Sequence, residues 1–456
     1  MPSKLRRTCA AKYDLVWEKL DEPIDDWLAA VRTSDVYRSV AHFILKFKPG
    51  NAVEMHRAFK GDYNVVYRLE YSDGTSVIMR IPINDGVPAT FQDEKVRYEV
   101  AVMRYVAANT SIPVPHVYHY GTAVENPLGL GPFIIMDYID HYETLSGVLR
   151  DPDRPVEKHP VLNPNIDERH LALLYKQVAD VLLQLDVLRF PRIGSLVEDA
   201  ATGTIDVKGR PLLANMIDVV IHTAFPPVRR DAVEDANDAR DKYVARQLFR
   251  RGGRASVFTR GHGFRRRPAR HFALLRGPAP GQHSFLYKDD RIVGVIDWEF
   301  AYAAPLSFSS CPPWWLPMDK PESWSPGGLM GWQQTCEPRL RTFLSALEEV
   351  EKHEQQPVSA GEPLSQRMSS WTSNASMRNY AARRSWAFDF LWWKHIDESL
   401  YGPNEDQDHK ARLAEMPAAQ LQILDDFVKQ KLDEGEDAEV TVWDKDAAVA
   451  HLAQYL

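Results

Sequence analysis

Cysteine is scarce in this chain. Cys9, Cys311 and Cys336 are three in 456 residues, and their spacing matches neither a metal-ligand pair nor a redox motif. That excludes a disulfide scaffold and fits a reducing compartment. Long apolar runs are absent too. No stretch approaches the roughly 20 residues a membrane helix needs, so no membrane segment is expected. The N-terminus is basic, but no apolar segment follows it, which argues against a secretory signal. The cytoplasm is therefore the expected compartment. Lys4, Arg6, Arg7 and Lys12 flank no acid before Asp14, which makes a mitochondrial address the alternative. An excess of positive charge is also missing. Lys and Arg total 55 against 63 Asp and Glu, for a net charge of −8. This argues against a dedicated nucleic-acid binder. No internal repeat is present.

What remains is an ordinary globular composition, 44% hydrophobic and 26% charged. Its length suffices for more than one lobe. Residues 14 to about 48 read as helices with polar faces. Alternation over Phe59–Tyr71, a turn at Ser72-Asp73-Gly74 and a second run over Thr75–Ile81 predict a hairpin. Val96, Val100, Met103 and Val106 predict a helix over 92–108, ended by Pro113 and Pro115. Val117–Tyr120 and Pro132–Ile139 read as strands. Beyond residue 145 the chain turns mainly helical. Leu171, Leu174, Val178, Val181, Leu182 and Leu185 line one face of a helix over 168–188. Further helices are predicted over 340–352 and 379–397, with a hairpin at 284–297 and a polar loop at 353–366. The pattern is α+β: a small β-rich lobe, a connecting strand and a larger helical lobe, with a cleft between them for a ligand. The boundaries are 1–48 for an N-terminal helical extension, 49–140 for the first lobe and 141–456 for the second, whose catalytic or metal hairpin falls near 272–300.

The most informative stretch is Arg291–Pro305, with Gly294-Val-Ile-Asp-Trp-Glu-Phe-Ala301 at its centre. A strand that ends in an acid, followed by an aromatic and a second acid, is how kinase-type phosphoryl-transfer enzymes hold magnesium. This segment resembles the metal-binding segment of the aminoglycoside phosphotransferase and choline-kinase-like group, and more closely that of fungal phosphotransferase-family proteins. Phe190-Pro-Arg-Ile-Gly-Ser-Leu196 and Pro312-Pro-Trp-Trp-Leu316 carry the same resemblance, which spans about residues 45–435. It implies a two-lobed protein-kinase-like fold and transfer from ATP (or GTP), with Mg²⁺, to a small-molecule hydroxyl.

On that resemblance Asp297 is the metal ligand, a carboxylate at a strand end that can reach an ion bridging the nucleotide phosphates. The alternative is an Asp that only caps a turn. Glu299 either assists the metal or serves the fold. Phe59-Lys-Gly-Asp-Tyr-Asn64 sits where a phosphate-covering loop belongs, which makes Gly61, Asp62 and Asn64 nucleotide-binding candidates; a plain hairpin turn is the competing reading. Arg80 falls where the fold expects its phosphate-pairing cation. Glu99 is the expected ion-pair partner, with Glu94 as competitor. Met136–Ile139 would connect the lobes, with Met136 beside the adenine.

The catalytic loop is broken. Leu275-Arg-Gly-Pro-Ala-Pro-Gly-Gln-His-Ser-Phe-Leu286 holds neither Asp nor Asn. Aligned without gaps, Arg276 takes the place of the opening residue, Pro278 that of the catalytic Asp, and His283 that of the metal-binding Asn. Pro278 has neither a proton acceptor nor an N–H. His283 is a poor substitute for an amide oxygen on Mg²⁺, though a possible metal ligand. Read one base forward, the codons for this loop permit Cys-Glu-Asp-Leu-Arg-Pro-Ala-Asn-Ile-Leu-Phe, with Asp and Asn at the family spacing. Upstream, Arg250–Arg270 is dense in Arg and Gly and lacks any acid, while composition is normal again from Tyr287. About residues 252–286 are thus expected to be out of frame, or else a disordered basic loop.

Two functions compete: a small-molecule phosphotransferase, or a catalytically inactive pseudokinase-like protein that binds a nucleotide or a partner. A protein kinase fits less well, since Ile-Asp-Trp replaces Asp-Phe-Gly and no Ala-Pro-Glu-like segment follows. The acceptor site is expected after Pro305, where Asp389 and Asp397 flank Trp386, Trp392 and Trp393. Aromatics at such spacing are more often core. The sequence does not fix the oligomeric state.

Overall fold

A computed structural model describes residues 25–61, 63–83, 89–155, 160–210, 235–254, 272–275, 282–321, 324, 328–354, 362–369, 377–381, 388 and 391–436. The protein is α+β. Its first part is a sheet with helices, and helices predominate later. The chain divides into two compact units, one of Ile24–Leu213 with Ala269–Trp371, the other of Met1–Pro23, Ala214–Pro268 and Thr372–Leu456.

The first unit opens with α1 (Ser34–Phe47), followed by β1 (Ala52–Met55), β2 (Phe59–Lys60), β3 (Asn64–Tyr71) and β4 (Ser76–Pro82). Next come α2 (Ala89–Asn109), β5 (Val117–Gly121) and β6 (Phe133–Asp137). The strands form one sheet in the order β1-β3-β4-β6-β5, with β2 beside β3. The predicted hairpin is β3–β4, whose turn lies at Ser72-Asp73-Gly74; Gly74 takes a φ of 82°, which glycine adopts without a steric penalty.

Strand periodicity assigns the two faces. Val65, Tyr67, Leu69, Val77, Met79 and Ile81 join Phe133 and Ile135 in one buried cluster with Val40, Phe43 and Ile44 of α1. The helix that the sequence places in an extension therefore shares the core of the sheet. Phe43 meets Phe133 edge-on at 5.2 Å, and Phe47 stacks on His119 at 3.8 Å. The alternate residues point to the opposite face. In register, Arg80 lies between Val66 of β3 and Ile134 of β6. A cation is thereby carried by a central strand, on the face that α1 does not cover.

Later in this unit come β7 (Glu143–Thr144), α3 (Glu168–Val187), β8 (Arg189–Phe190), β9 (Ser195–Glu198) and β10 (Ile205–Gly209). Then follow β11 (Phe272–Leu275), β12 (Phe285–Lys288), β13 (Arg291–Val295), β14 (Tyr302–Pro305) and α4 (Gly328–Glu354). The N-cap of α3 is Asp167, whose side chain accepts from the His170 N–H. The hairpin predicted over 284–297 is β12–β13, with β7 on its other side. Its two-residue turn, Asp289-Asp290, has φ values of 49° and 58°, the pattern of a tight hairpin turn. β11 falls inside the stretch expected to be out of frame, yet it pairs with both β14 and β8. A ladder is made of backbone N–H and C=O groups, so it forms with any side chains that tolerate an extended chain.

In the second unit, the helix Ala236–Arg254 meets the helix Leu424–Glu436 through the rings of Tyr243 and Phe427, 4.9 Å apart. Phe249, Phe388 and Trp392 form a further aromatic cluster. Trp392 and Trp393 are fully buried, so these rings are core. Asp397 is buried as well: the Arg412 Nε donates to its Oδ1 at 2.8 Å and the Asn404 amide to its Oδ2 at 2.9 Å. An acid held this way is structural. Trp386 and Asp389 lie outside the described residues.

Candidate functional site

The site grows from the sheet face opposite α1, within one compact unit. Arg80 on β4 and Glu99 on α2 are both buried and form an ion pair across 19 residues of sequence. Of the two competing acids, Glu99 is the partner. Glu94 instead accepts two hydrogen bonds from Arg210, each 3.0 Å long. Burial opposes the charge on Arg80, but the Glu99, Glu299 and Asp297 carboxylates more than offset it and hold its pKa above the ordinary value. Burial pushes the Glu99 carboxyl upward, against the pull of Arg80. Among the described residues, the Arg80 Nε is a buried donor with no hydrogen-bond partner. A buried, unfilled guanidinium donor is costly in an empty pocket and suits an anionic oxygen.

The hairpin β12–β13 delivers the acids. Trp298 is fully buried, and its indole N–H donates to the Val295 carbonyl at 2.8 Å. That anchor fixes the chain just past β13, between Asp297 and Glu299. Asp297 and Phe300 both have a φ of 60°. Asp tolerates this left-handed region; a Phe there is strained and must be held by its surroundings. Ser284 donates to the Asp297 Oδ2 at 3.2 Å, and the Ile296 N–H bonds the Ser284 carbonyl at 2.9 Å. His283 is exposed on the short turn Gln282–Ser284 that precedes β12.

Glu299 is engaged by a residue the sequence did not flag. Lys95, one helical turn before Glu99 on α2, places its Nζ 2.7 Å from the Glu299 Oε2, with both side chains largely buried. Burial raises the Glu299 pKa, but Lys95 and Arg80 outweigh it and hold the carboxyl below the ordinary range. The same Nζ lies 5.6 Å from the Tyr63 ring and 5.2 Å from the Phe300 ring. Lys95 therefore joins three pieces: the loop after β2, α2 and the segment after β13. The signal for it was available, since positions 95 and 99 share a helix face.

The other candidates are placed as follows. The Gly61 N–H bonds the Asn64 carbonyl at 2.8 Å, which closes a tight loop between β2 and β3. Asn64 begins β3 opposite Pro82. Met136 is buried on β6, opposite Ile78 and Val117. Asp62, Arg276 and Pro278 lie outside the described residues.

The donor set also bears on a metal. Mg²⁺ takes oxygen ligands, keeps several waters and is usually held by one or two carboxylates plus substrate phosphates. Asp297 meets that description. Glu299 carries its own cation in Lys95. Among the described residues, Asp297 would be the one to hold a Mg²⁺ ion, which would supply charge neutralisation for nucleotide phosphates.

No family model matches the chain. A subtelomeric hrmA-associated cluster protein of Aspergillus fumigatus is 28% identical over 144 residues, which cover 30% of this chain and 23% of that protein. Altered inheritance of mitochondria protein 9, mitochondrial, from Yarrowia lipolytica is 33% identical over 141 residues, 30% of this chain and 22% of that protein. The chain thus spans less than a quarter of the length of either relative. Among solved structures, it is similar to aminoglycoside phosphotransferase APH(4)-Ia in complex with AMP-PNP and hygromycin B, with a TM-score of 0.41 and 15% identity over 86% of this chain and 98% of that one.

Proposed function

We propose that this chain is a kinase-like phosphotransferase-family protein that binds ATP or GTP with Mg²⁺, in a site built for transfer to a small-molecule hydroxyl. The buried Arg80–Glu99 pair beside Asp297 carries this reading. A central strand, a helix and a hairpin end each contribute one charge to one place, and the free Arg80 Nε suits a phosphate oxygen. Arg80 would grip phosphate, Glu99 would orient Arg80, the Gly61 loop would cover the phosphates, and Met136 would flank the adenine. Asp297 would hold Mg²⁺, whose charge offsets that of the transferred group.

The base is the missing part. Pro278, at the position expected for the base, accepts no proton, so that position offers no group to activate a hydroxyl. This favours a second reading, a pseudokinase-like binding protein. Thermal unfolding with 1 mM ATP and Mg²⁺, run beside an ATP-consumption assay over a panel of hydroxyl metabolites, separates the two. A site with a Kd of about 10 μM gains about 2.7 kcal/mol under those conditions. Stabilisation with acceptor-dependent consumption supports the transferase, and stabilisation alone supports the binding protein. No response to ATP or GTP sinks both. For compartment, the cytoplasm is the expected place, the mitochondrial relative supports the mitochondrion as the alternative, and imaging a C-terminal fluorescent fusion decides between them.

A further inference from the structure

We infer that Lys95 is a second phosphate-gripping residue, through which the site holds a nucleoside triphosphate even without a divalent ion. This rests on the nucleotide-binding reading above. Lysine is a poor choice for a buried position unless its charge is used. Lys95 is buried, yet its ammonium meets one carboxylate, Glu299, and the faces of two rings, Tyr63 and Phe300. An ammonium has three N–H donors, and one carboxylate contact leaves donors for a ligand. Both ring contacts come from segments assigned to the nucleotide: Tyr63 from the loop after β2, Phe300 from the turn after Asp297. Lys95 therefore stands where the phosphate-covering loop and the metal segment converge.

Charge balance makes the assignment specific. Arg80 pairs with Glu99 and Lys95 with Glu299, so each of these two buried acids has a cation within ion-pair distance. Without Lys95, Glu299 would face incoming phosphates with only Arg80, already paired with Glu99, and Asn64 to balance it. With Lys95 in place, a fixed side-chain cation does part of what a metal ion does elsewhere. Phosphates can approach while Lys95 keeps its contact to Glu299, so no buried acid is stripped of its partner.

The test compares binding of ATP, ADP and adenosine to the full-length protein by calorimetry, in EDTA and in Mg²⁺. In EDTA the wild-type protein is expected to bind ATP at least tenfold more tightly than adenosine. In Lys95→Gln that ratio falls below threefold. The ratio, unlike absolute affinity, is insensitive to a partly unfolded sample, and Lys95→Arg, which keeps the charge, recovers most of it. A wild-type preference for ATP that appears only with Mg²⁺ overturns the inference and leaves the nucleotide site standing. So does a preference that Lys95→Gln leaves intact. No binding of any of the three ligands under either condition removes the nucleotide site itself.

Discussion

At the scale of the residue, the first unit concentrates charge where burial makes it costly. Arg80, Glu99 and Lys95 are all buried, and each is tolerated because another charge meets it. Removing one member of such a pair strands the other. We therefore predict that Arg80→Met destabilises the protein by about 3–5 kcal/mol, because Glu99 is left without its partner. Arg80→Met with Glu99→Leu should recover much of that loss, since it removes both desolvation costs. Urea unfolding of the two variants reads the difference, and equal losses would mean that the pair is not what holds these residues. The residues that sequence order could find here were Arg80, Glu99 and Asp297, each marked by its place relative to a strand, a helix or a turn. Lys95 and Ser284 were not found. The helix face shared with Glu99 pointed to Lys95, but the partners of Lys95 and Ser284 lie about 200 and 13 positions away, and no local pattern names them.

At the scale of the element, periodicity was the readable part. The β3–β4 hairpin, the helix over 92–108, the long helix over 168–188 and the hairpin ending at Asp297 all stand where their patterns put them. Period two also settles which face of β4 carries Arg80, because Met79 and Ile81 belong to the cluster under α1. What the pattern left out was how closely elements approach. Gly121 of β5 lies opposite Phe133 of β6, and a Cβ added there would come within 2.8 Å of that fully buried ring. Gly121→Ala should cost about 1–3 kcal/mol through overpacking. An unchanged Tm would show that the ring has room to shift. The aromatic run near 390 was legible as core, and the burial of Trp392 and Trp393 agrees with it.

At the scale of the whole molecule, the catalytic loop decides what the protein does. On the proposed reading Asp297 would be the metal half of the site, while the stretch before β12 has Pro278 where the catalytic Asp is expected. The expectation that residues 252–286 are out of frame yields a direct experiment. If the proposed nucleotide site is right, replacing Leu275–Leu286 with Cys-Glu-Asp-Leu-Arg-Pro-Ala-Asn-Ile-Leu-Phe should confer ATP consumption, because it returns an Asp and an Asn at the spacing that kinase-type catalytic loops use. No gain over the parent chain, in a variant that still binds ATP, would argue that the site has decayed beyond this loop. Sequencing the transcript across the region tests the same idea from the other side: a clean read of the present frame leaves a true pseudoenzyme or a decayed gene.

The sequence by itself determined the α+β class, the order of the elements and the acid at the end of β13. These follow from backbone preference and from hydrophobic period, which act over a few residues. Tertiary structure alone decided which charges meet. It chose Glu99 over Glu94, gave Glu299 to Lys95 and buried Asp397 against Arg412. Those choices follow from the cost of leaving a charge unpaired away from water, and only the folded chain brings the partners within reach.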